Sequence, residues 1–509
     1  MSKDLIGIAR SRSPAYASRK GWALGLLGLA CGAACSACGE SDGGPVPASD
    51  AAADTLDAGF EADVSRPDAE AGTDVGPDAT DADADADAPW DGKPDGCDAM
   101  APHPAVPEGW ERWNGWSCDC PLFLPGTTGQ MPPPIEWEPC KETVTAGLSC
   151  RRMKHTWNET GPNTLSFFPK MSIDPTSGAP LLSFGRLFYE GNPDVVYRIV
   201  AEADGPVRNA FMKVNPAGKG CGVYEEALNE GRYVSRAYGD TWDGPVTDPN
   251  VPLVEGAVAG HVGETEPSTV LKLPPGLPST WSASSQWLVQ WTNTQVAWSW
   301  DLKSKHTIYD PATDPDHLPG WRPFPIGEDV MVEVGDGRPA GVMTWNVNDG
   351  LRPLIRWYGD ANQAAGNFGT DGKDMVWTYV AGKDLGSAKY ETMSVMTVPF
   401  STSAAEVEAT SRRLRSDVKG FEPDGWVVGC GYAARGVGLS APLNNALFIV
   451  RLSDGVSWTL PGRLAPNGEH WGNVLGITCD EVFATMAEDT IVRLLRFRLD
   501  SLGPGTPPD

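Results

Sequence analysis

The stretch Ser285–Asp310, SQWLVQWTNTQVAWSWDLKSKHTIYD, holds three short runs rich in Trp, Val, Ile and Tyr, parted by polar segments carrying Asn293 and Asp301. Each run is too short for a stable helix, and the residue types favour a half-buried extended chain. In QVAWSW, Trp298 and Trp300 flank Ser299 and so point to one face of a strand, where they are expected to pack between sheets. Further out, the same grammar recurs in DVMVEV, GVMTWNV, DMVWTYVAG, GWVVGCGY, NALFIVRLS and TIVRLLRFRL, with Gly, Pro, Asn and Asp between the runs. An all-β domain follows.

Its spacing is regular. Strand-initial segments recur near Trp287, Val330, Met375, Trp426 and Val474, in steps of 43, 45, 51 and 48 residues. That period matches one four-stranded blade of a β-propeller. Extended back to residue 164, it gives a propeller over 164–509 with about seven blades, six being the alternative count. Three good strands follow Gly472, so TLSFFPK near Thr164 is expected to supply the fourth strand and close the ring. Closure removes sheet edges that would otherwise invite aggregation.

Two short motifs carry a resemblance at the level of the superfamily. Gly260-His261 followed by QVAWSWDLKS, with Trp300-Asp301, resembles one WD40 unit, and GTDGKDMVWTYV, starting at Gly369, resembles the strand-leading turn of TolB-like propellers. The resemblance implies architecture and transfers no functional residue.

The N-terminus is of another kind. Lys3, Arg10, Arg12, Arg19 and Lys20 stand against one acid, Asp4, and lead into the 13-residue apolar stretch Trp22–Ala34. Such an order is a secretory signal, too short to remain as a spanning helix. Ser36-Ala37-Cys38 resembles the cleavage site of a bacterial lipoprotein, which implies acylation at Cys38, with Cys35 the alternative, over residues 1–38. Gly39 after that cysteine implies anchoring to the outer membrane, on a face the sequence leaves open. Residues 39–96 are rich in Asp, Ala, Gly and Pro, with 17 acids against Arg66 and Lys93. A segment of this composition cannot offset its ordering entropy and is expected to be a disordered, self-repelling tether. Asp81, Asp83, Asp85 and Asp87 lack the Gly and the closing acid of a calcium loop. The whole order of parts resembles exported lipoproteins of Gram-negative bacteria.

The 509 residues carry 40 Lys and Arg against 67 Asp and Glu, a net charge of −27, which argues against nucleic acid as a partner. Beyond the signal stand eight cysteines: Cys97, Cys118, Cys120, Cys140, Cys150, Cys221, Cys430 and Cys479. An even number behind an export signal reads as disulfides. Cys140 with Cys150 closes a short loop. Cys430 and Cys479, 49 residues apart, fall at equivalent points of consecutive blades, where a bridge would tie the last two together. Cys118-Asp119-Cys120 has one intervening residue, which does not suit zinc. Residues 97–163, rich in Cys, Trp and Pro, read as a small stapled cap, whose Trp110, Trp113 and Trp116 are candidate ligand contacts.

No HExxH, GxSxG or GxxxxGK[ST] occurs, and the six histidines have no ligand spacing. Ser453-Asp454-Gly455-Val456-Ser457-Trp458 reads as a turn between two strands of one blade. No cofactor or metal is expected. The sequence therefore points to a tethered propeller that binds a protein, peptide or envelope glycan. The alternative is a polysaccharide hydrolase or lyase with two carboxylates near the channel mouth, a pair that no motif fixes.

Overall fold

Seven antiparallel sheets hold all the described strands. In the computed structural model the described residues run from 106 to 508, save 107, 114–121, 155–168, 188–194, 215–221, 239–254, 265, 268, 273–279, 292–293, 311–319, 335–340, 356–362, 382–391, 419–424, 438–445, 463–467 and 489–490. The signal 1–38, the acidic segment 39–96, Trp116, Cys97, Cys118, Cys120 and Cys221 lie outside them.

Blade 1 is Lys170–Ile173, Pro180–Leu187, Val195–Glu202 and Val207–Val214. Blade 2 is Gly222–Asn229, Arg232–Tyr238, Glu255–His261 and Thr269–Lys272; blade 3 is Thr280–Ala283, Trp287–Trp291, Gln295–Ser299 and Lys305–Tyr309. Blade 4 is Gly320–Ile326, Asp329–Val334, Gly341–Asn346 and Gly350–Ile355; blade 5 is Gln363–Thr370, Asp374–Ala381, Thr392–Pro399 and Arg412–Val418. Blade 6 is Val427–Gly429, Tyr432–Val437, Ala446–Arg451 and Ser457–Leu460; blade 7 begins with His470–Ile477, Glu481–Glu488 and Ile491–Arg498. Within each blade neighbours in sequence are neighbours in the sheet, and the first strand of blade 7 lies against that of blade 1. The chain forms a seven-bladed β-propeller.

The ring closes elsewhere than expected. The fourth strand of blade 7 is Cys150–Met153, with Arg152 opposite Leu495, and Trp137–Pro139 pairs outside it. Trp110–Arg112 and Leu122–Pro125 extend the outer edge of blade 1. So the stretch expected as a cap contributes strands to the two blades that flank the seam. The fourth-strand place expected for TLSFFPK is taken by Cys150–Met153; Lys170 of that stretch opens the first strand of blade 1, and Thr164–Phe168 lie outside the described residues. The repeat marks also slip. Trp287, Val330 and Met375 stand at the start of second strands, whereas Trp426 precedes a first strand and Val474 lies inside one. First and second strands both carry short apolar runs, so in the sequence they read alike.

Each gap between blades is filled by apolar side chains facing one another. Trp281, with Trp298 and Leu288, faces Val234 and Ala259 of blade 2; Trp377, with Met375 and Phe368, faces Met331 and Val342 of blade 4. Burying each large side chain contributes about 1.5–3 kcal/mol. Trp298 and Trp300 do pack between sheets, as their alternation implied. Near the axis the blades come so close that three first strands carry glycine at or next to their last residue. A Cβ at Gly369 would strike the Trp426 carbonyl oxygen, at Gly429 that of Ile477, and at Gly476 the Met171 Sδ. Gly429→Val is therefore expected to lower stability by about 1–3 kcal/mol through overpacking. An unchanged urea midpoint would show that the strands can move apart.

Candidate functional site

The described turns stand at one end of the strands, where each first strand hands over to the second. Blades 2 and 6 turn there through two residues, Glu230-Gly231 and Cys430-Gly431, with φ of 47° and 72° and of 49° and 76°. Hairpins twisted this way favour Asn-Gly, because a residue with a Cβ pays to adopt positive φ. Both exceptions have a partner in another blade. The Glu230 carboxylate accepts from Ser285 N at 2.5 Å in blade 3 and from Gly327 N at 3.2 Å in blade 4. Beside it, Asn229 Nδ2 donates to the Ala283 and Pro325 carbonyls at 2.9 and 3.1 Å. Cys430 is bonded to Cys479, in the equivalent turn of blade 7, with Cα atoms 5.1 Å apart. Turn-to-turn bonds thus link blades 2, 3 and 4 and, separately, blades 6 and 7 at this end of the ring.

One blade edge away, Arg232 lies over the Trp300 ring at 4.2 Å, donates to Ser285 O at 3.2 Å and meets His261 Nε2. Burial and the Arg232 guanidinium push the His261 imidazole below its ordinary value, so at neutral pH it is uncharged and can accept. Burial likewise lowers Arg232. The residues of the WD40-like motif therefore meet across two blades: His261 ends the third strand of blade 2 and Trp300 follows the third strand of blade 3. GTDGKDMVWTYV does form a strand-leading turn, in which Asp371 Oδ1 accepts from Lys373 N and Asp374 N, both at 2.9 Å. The turn at Ser453–Val456 also joins two strands of one blade, held by Asp454 and Arg451.

At the rim, blades splay and leave wedges between their outer strands. The wedge between blades 6 and 7 receives the loop between Cys140 and Cys150, which are bonded with Cα atoms 5.5 Å apart. Its single 3-10 turn, Thr143–Thr145, is capped from a distant part of the chain. Glu469, 4% exposed, accepts from Thr143 N at 2.8 Å, Val144 N at 3.0 Å and Thr143 Oγ1 at 2.5 Å. Glu142 next to it is buried and pairs with Arg152 at 2.8 Å and Arg493 at 3.3 Å. Val144 and Leu148 pack with Trp458, Leu460 and Leu502. What the loop leaves open is a cleft of about 500 Å3 bounded by Val144, Gly147, Leu148, Leu460, Gly462 and Leu502. Among the described residues lining it none is charged and none is aromatic.

The sequence-picked Trp residues part company. Trp110 is 7% exposed between blades 1 and 7, its Nε1 donating to Gln130 O at 3.2 Å, while Trp113 packs against the opposite side of blade 1 with Leu122 and Tyr233. They share no platform. Among the described residues no three of His, Cys, Asp and Glu are placed to hold a metal ion. Glu230, Glu469 and Leu502 were invisible to motif reading, because each matters through a residue far off in the chain.

No family model and no curated protein matches this chain. Solved structures do. One of two prolyl endopeptidases aligns with 72% of this chain and 50% of its own, at 10% identity and a TM-score of 0.39. BamB from Moraxella catarrhalis aligns over 64% of this chain and 96% of its own, at 11% and 0.32. A putative TolB from Agrobacterium tumefaciens aligns over 49% and 81%, at 10% and 0.27. This chain spans about half the length of the prolyl endopeptidase it matches. Likenesses of this grade carry no activity across, and the seven-bladed ring rests on the strand pairing above.

Proposed function

We propose that the protein is an exported, lipid-anchored recognition module. Cys38 carries the acyl group, with Cys35 the alternative; residues 39–96 form the tether to the outer membrane; the propeller binds a protein, peptide or envelope glycan without converting it. The observation that carries this reading is the Cys430–Cys479 bond across two blades. Structural disulfides of this kind belong to exported proteins. A ring stapled in this way is also a rigid platform, and recognition works best from a rigid scaffold. None of the described helices is long and apolar enough to cross a membrane, so attachment in this reading falls to the N-terminal lipid.

Cys38→Ala is expected to move the protein from the membrane fraction to the soluble one and to abolish labelling by radioactive palmitate. Continued labelling of that variant would count against Cys38 and turn the test to Cys35, and a parent chain that takes up no label would discard the anchor. The ring's part is tested by screening the purified chain on glycan and peptide arrays while assaying the same glycans for new reducing ends. Binding without release supports recognition, and release would replace it with hydrolysis.

A further inference from the structure

We propose that the cleft between the outer edges of blades 6 and 7 is a docking site for an extended, uncharged peptide with aliphatic side chains. The inference rests on the recognition reading and narrows its ligand. At about 500 Å3 the cleft has the size of a small-ligand site. Its described walls offer aliphatic groups and main chain. The two hydroxyls present already donate their protons, Thr143 Oγ1 to Glu469 and Ser501 Oγ to the Arg498 carbonyl at 2.7 Å, and are left to accept, as from a peptide N–H. A charged ligand would lose its hydration there and find no countercharge among the described lining. A sugar would find no ring to stack on. Gly147 and Gly462 line the cleft without a side chain, so main chain forms part of its wall, which suits the amides of a peptide.

The neighbouring rim shows how blade 6 already holds an extended chain. Thr506 and Ser457 exchange two backbone hydrogen bonds, at 2.8 and 2.9 Å, and Trp458 Nε1 donates to Gly503 O at 3.1 Å. Arg415 Nη1 donates to the Thr506 and Pro507 carbonyls at 3.1 and 2.7 Å. Leu502 and Gly503, which lead into this seated tail, form one wall of the cleft, so the cleft continues a line along which the rim binds main chain. The facing wall is held by the Cys140–Cys150 bond and by Glu469. Both walls are set before a ligand arrives, which lowers the ordering cost of binding.

The test uses the full-length chain in detergent and fluorescent heptapeptides of Ala, Val, Leu, Pro and Gly, each matched by a version with two Asp or two Lys. Uncharged peptides are expected to bind, and the charged versions about tenfold or more weaker. Gly462→Trp, which fills the cleft, and Leu502→Glu, which charges it, should each weaken binding by about tenfold or more, at an unchanged circular-dichroism spectrum. Val347→Trp, on an exposed turn of blade 4, should not. If Gly462→Trp fails to fold, Leu502→Glu carries the test. Undiminished binding by a folded variant, or binding of glycans alone, overturns the cleft and leaves the recognition reading standing. Failure to bind any peptide or any glycan overturns both.

Discussion

Replacing Cys430 and Cys479 by serine is expected to lower the unfolding free energy by about 4 kcal/mol. The two are separated by 49 residues, and closing a loop of that length in the unfolded chain removes entropy worth about 4 kcal/mol. The bridge joins the turn that follows the three-residue first strand of blade 6, Val427–Gly429, to the equivalent turn of blade 7, beside the apolar core the two blades share. Removing Cys140–Cys150, with a separation of 10, should cost less, about 3 kcal/mol. Urea unfolding of both double variants beside the parent, under oxidising conditions, measures the order. A loss below about 1 kcal/mol for the Cys430 and Cys479 pair would mean that the apolar packing between blades 6 and 7 holds them without it.

Asp204→Ala is expected to cost about 2–3 kcal/mol by unlatching the seam between blades 1 and 7. Asp204 stands in the turn between the third and fourth strands of blade 1 and takes both Arg496 Nη atoms of blade 7, each at 2.5 Å. The Arg496 side chain is 2% exposed and lies 4.5 Å over the ring of Trp137, whose Nε1 donates to Ala203 O at 2.6 Å. Without Asp204 the guanidinium stays buried with Glu481 at 3.5 Å as its remaining carboxylate. Breaking a fully buried pair costs about 3–5 kcal/mol, and the 64% exposure of Asp204 places this one lower. Arg496→Met, which fills the space without a charge, should cost less than Asp204→Ala.

The same latch has a pH signature. The hydrogen bonds from Arg496 hold the Asp204 carboxyl below its ordinary value. Its folded form therefore binds a proton less readily than the unfolded chain does, and its contribution is complete above the unfolded value of about 4. It fades only as the pH falls through the lowered folded value. The gap in stability between the parent and Asp204→Ala should be the same at pH 7 and pH 5 and shrink below about pH 4. A gap that shrinks already between pH 7 and 5 would show that another group is responsible.

By itself the sequence determined the chemistry that neighbours in the chain share. Alternation in QVAWSW made a strand with its Trp residues facing one way, the returning period of apolar runs made four-stranded blades, and Gly, Pro, Asn and Asp marked the breaks between the runs. Cys430 and Cys479 were legible as a pair because the repeat itself carries them to matching turns. Only the tertiary structure decided which segment completes blade 7, since any extended stretch can satisfy an open ladder and the choice of Cys150–Met153 is made some 340 residues from its partner strand. It likewise decided that Glu230 reaches two other blades and that Glu469 caps the loop at Thr143. A carboxylate looks the same in the sequence whether it is solvated or closing a turn, because its partners are backbone N–H groups, which every residue but proline carries and no sequence pattern marks.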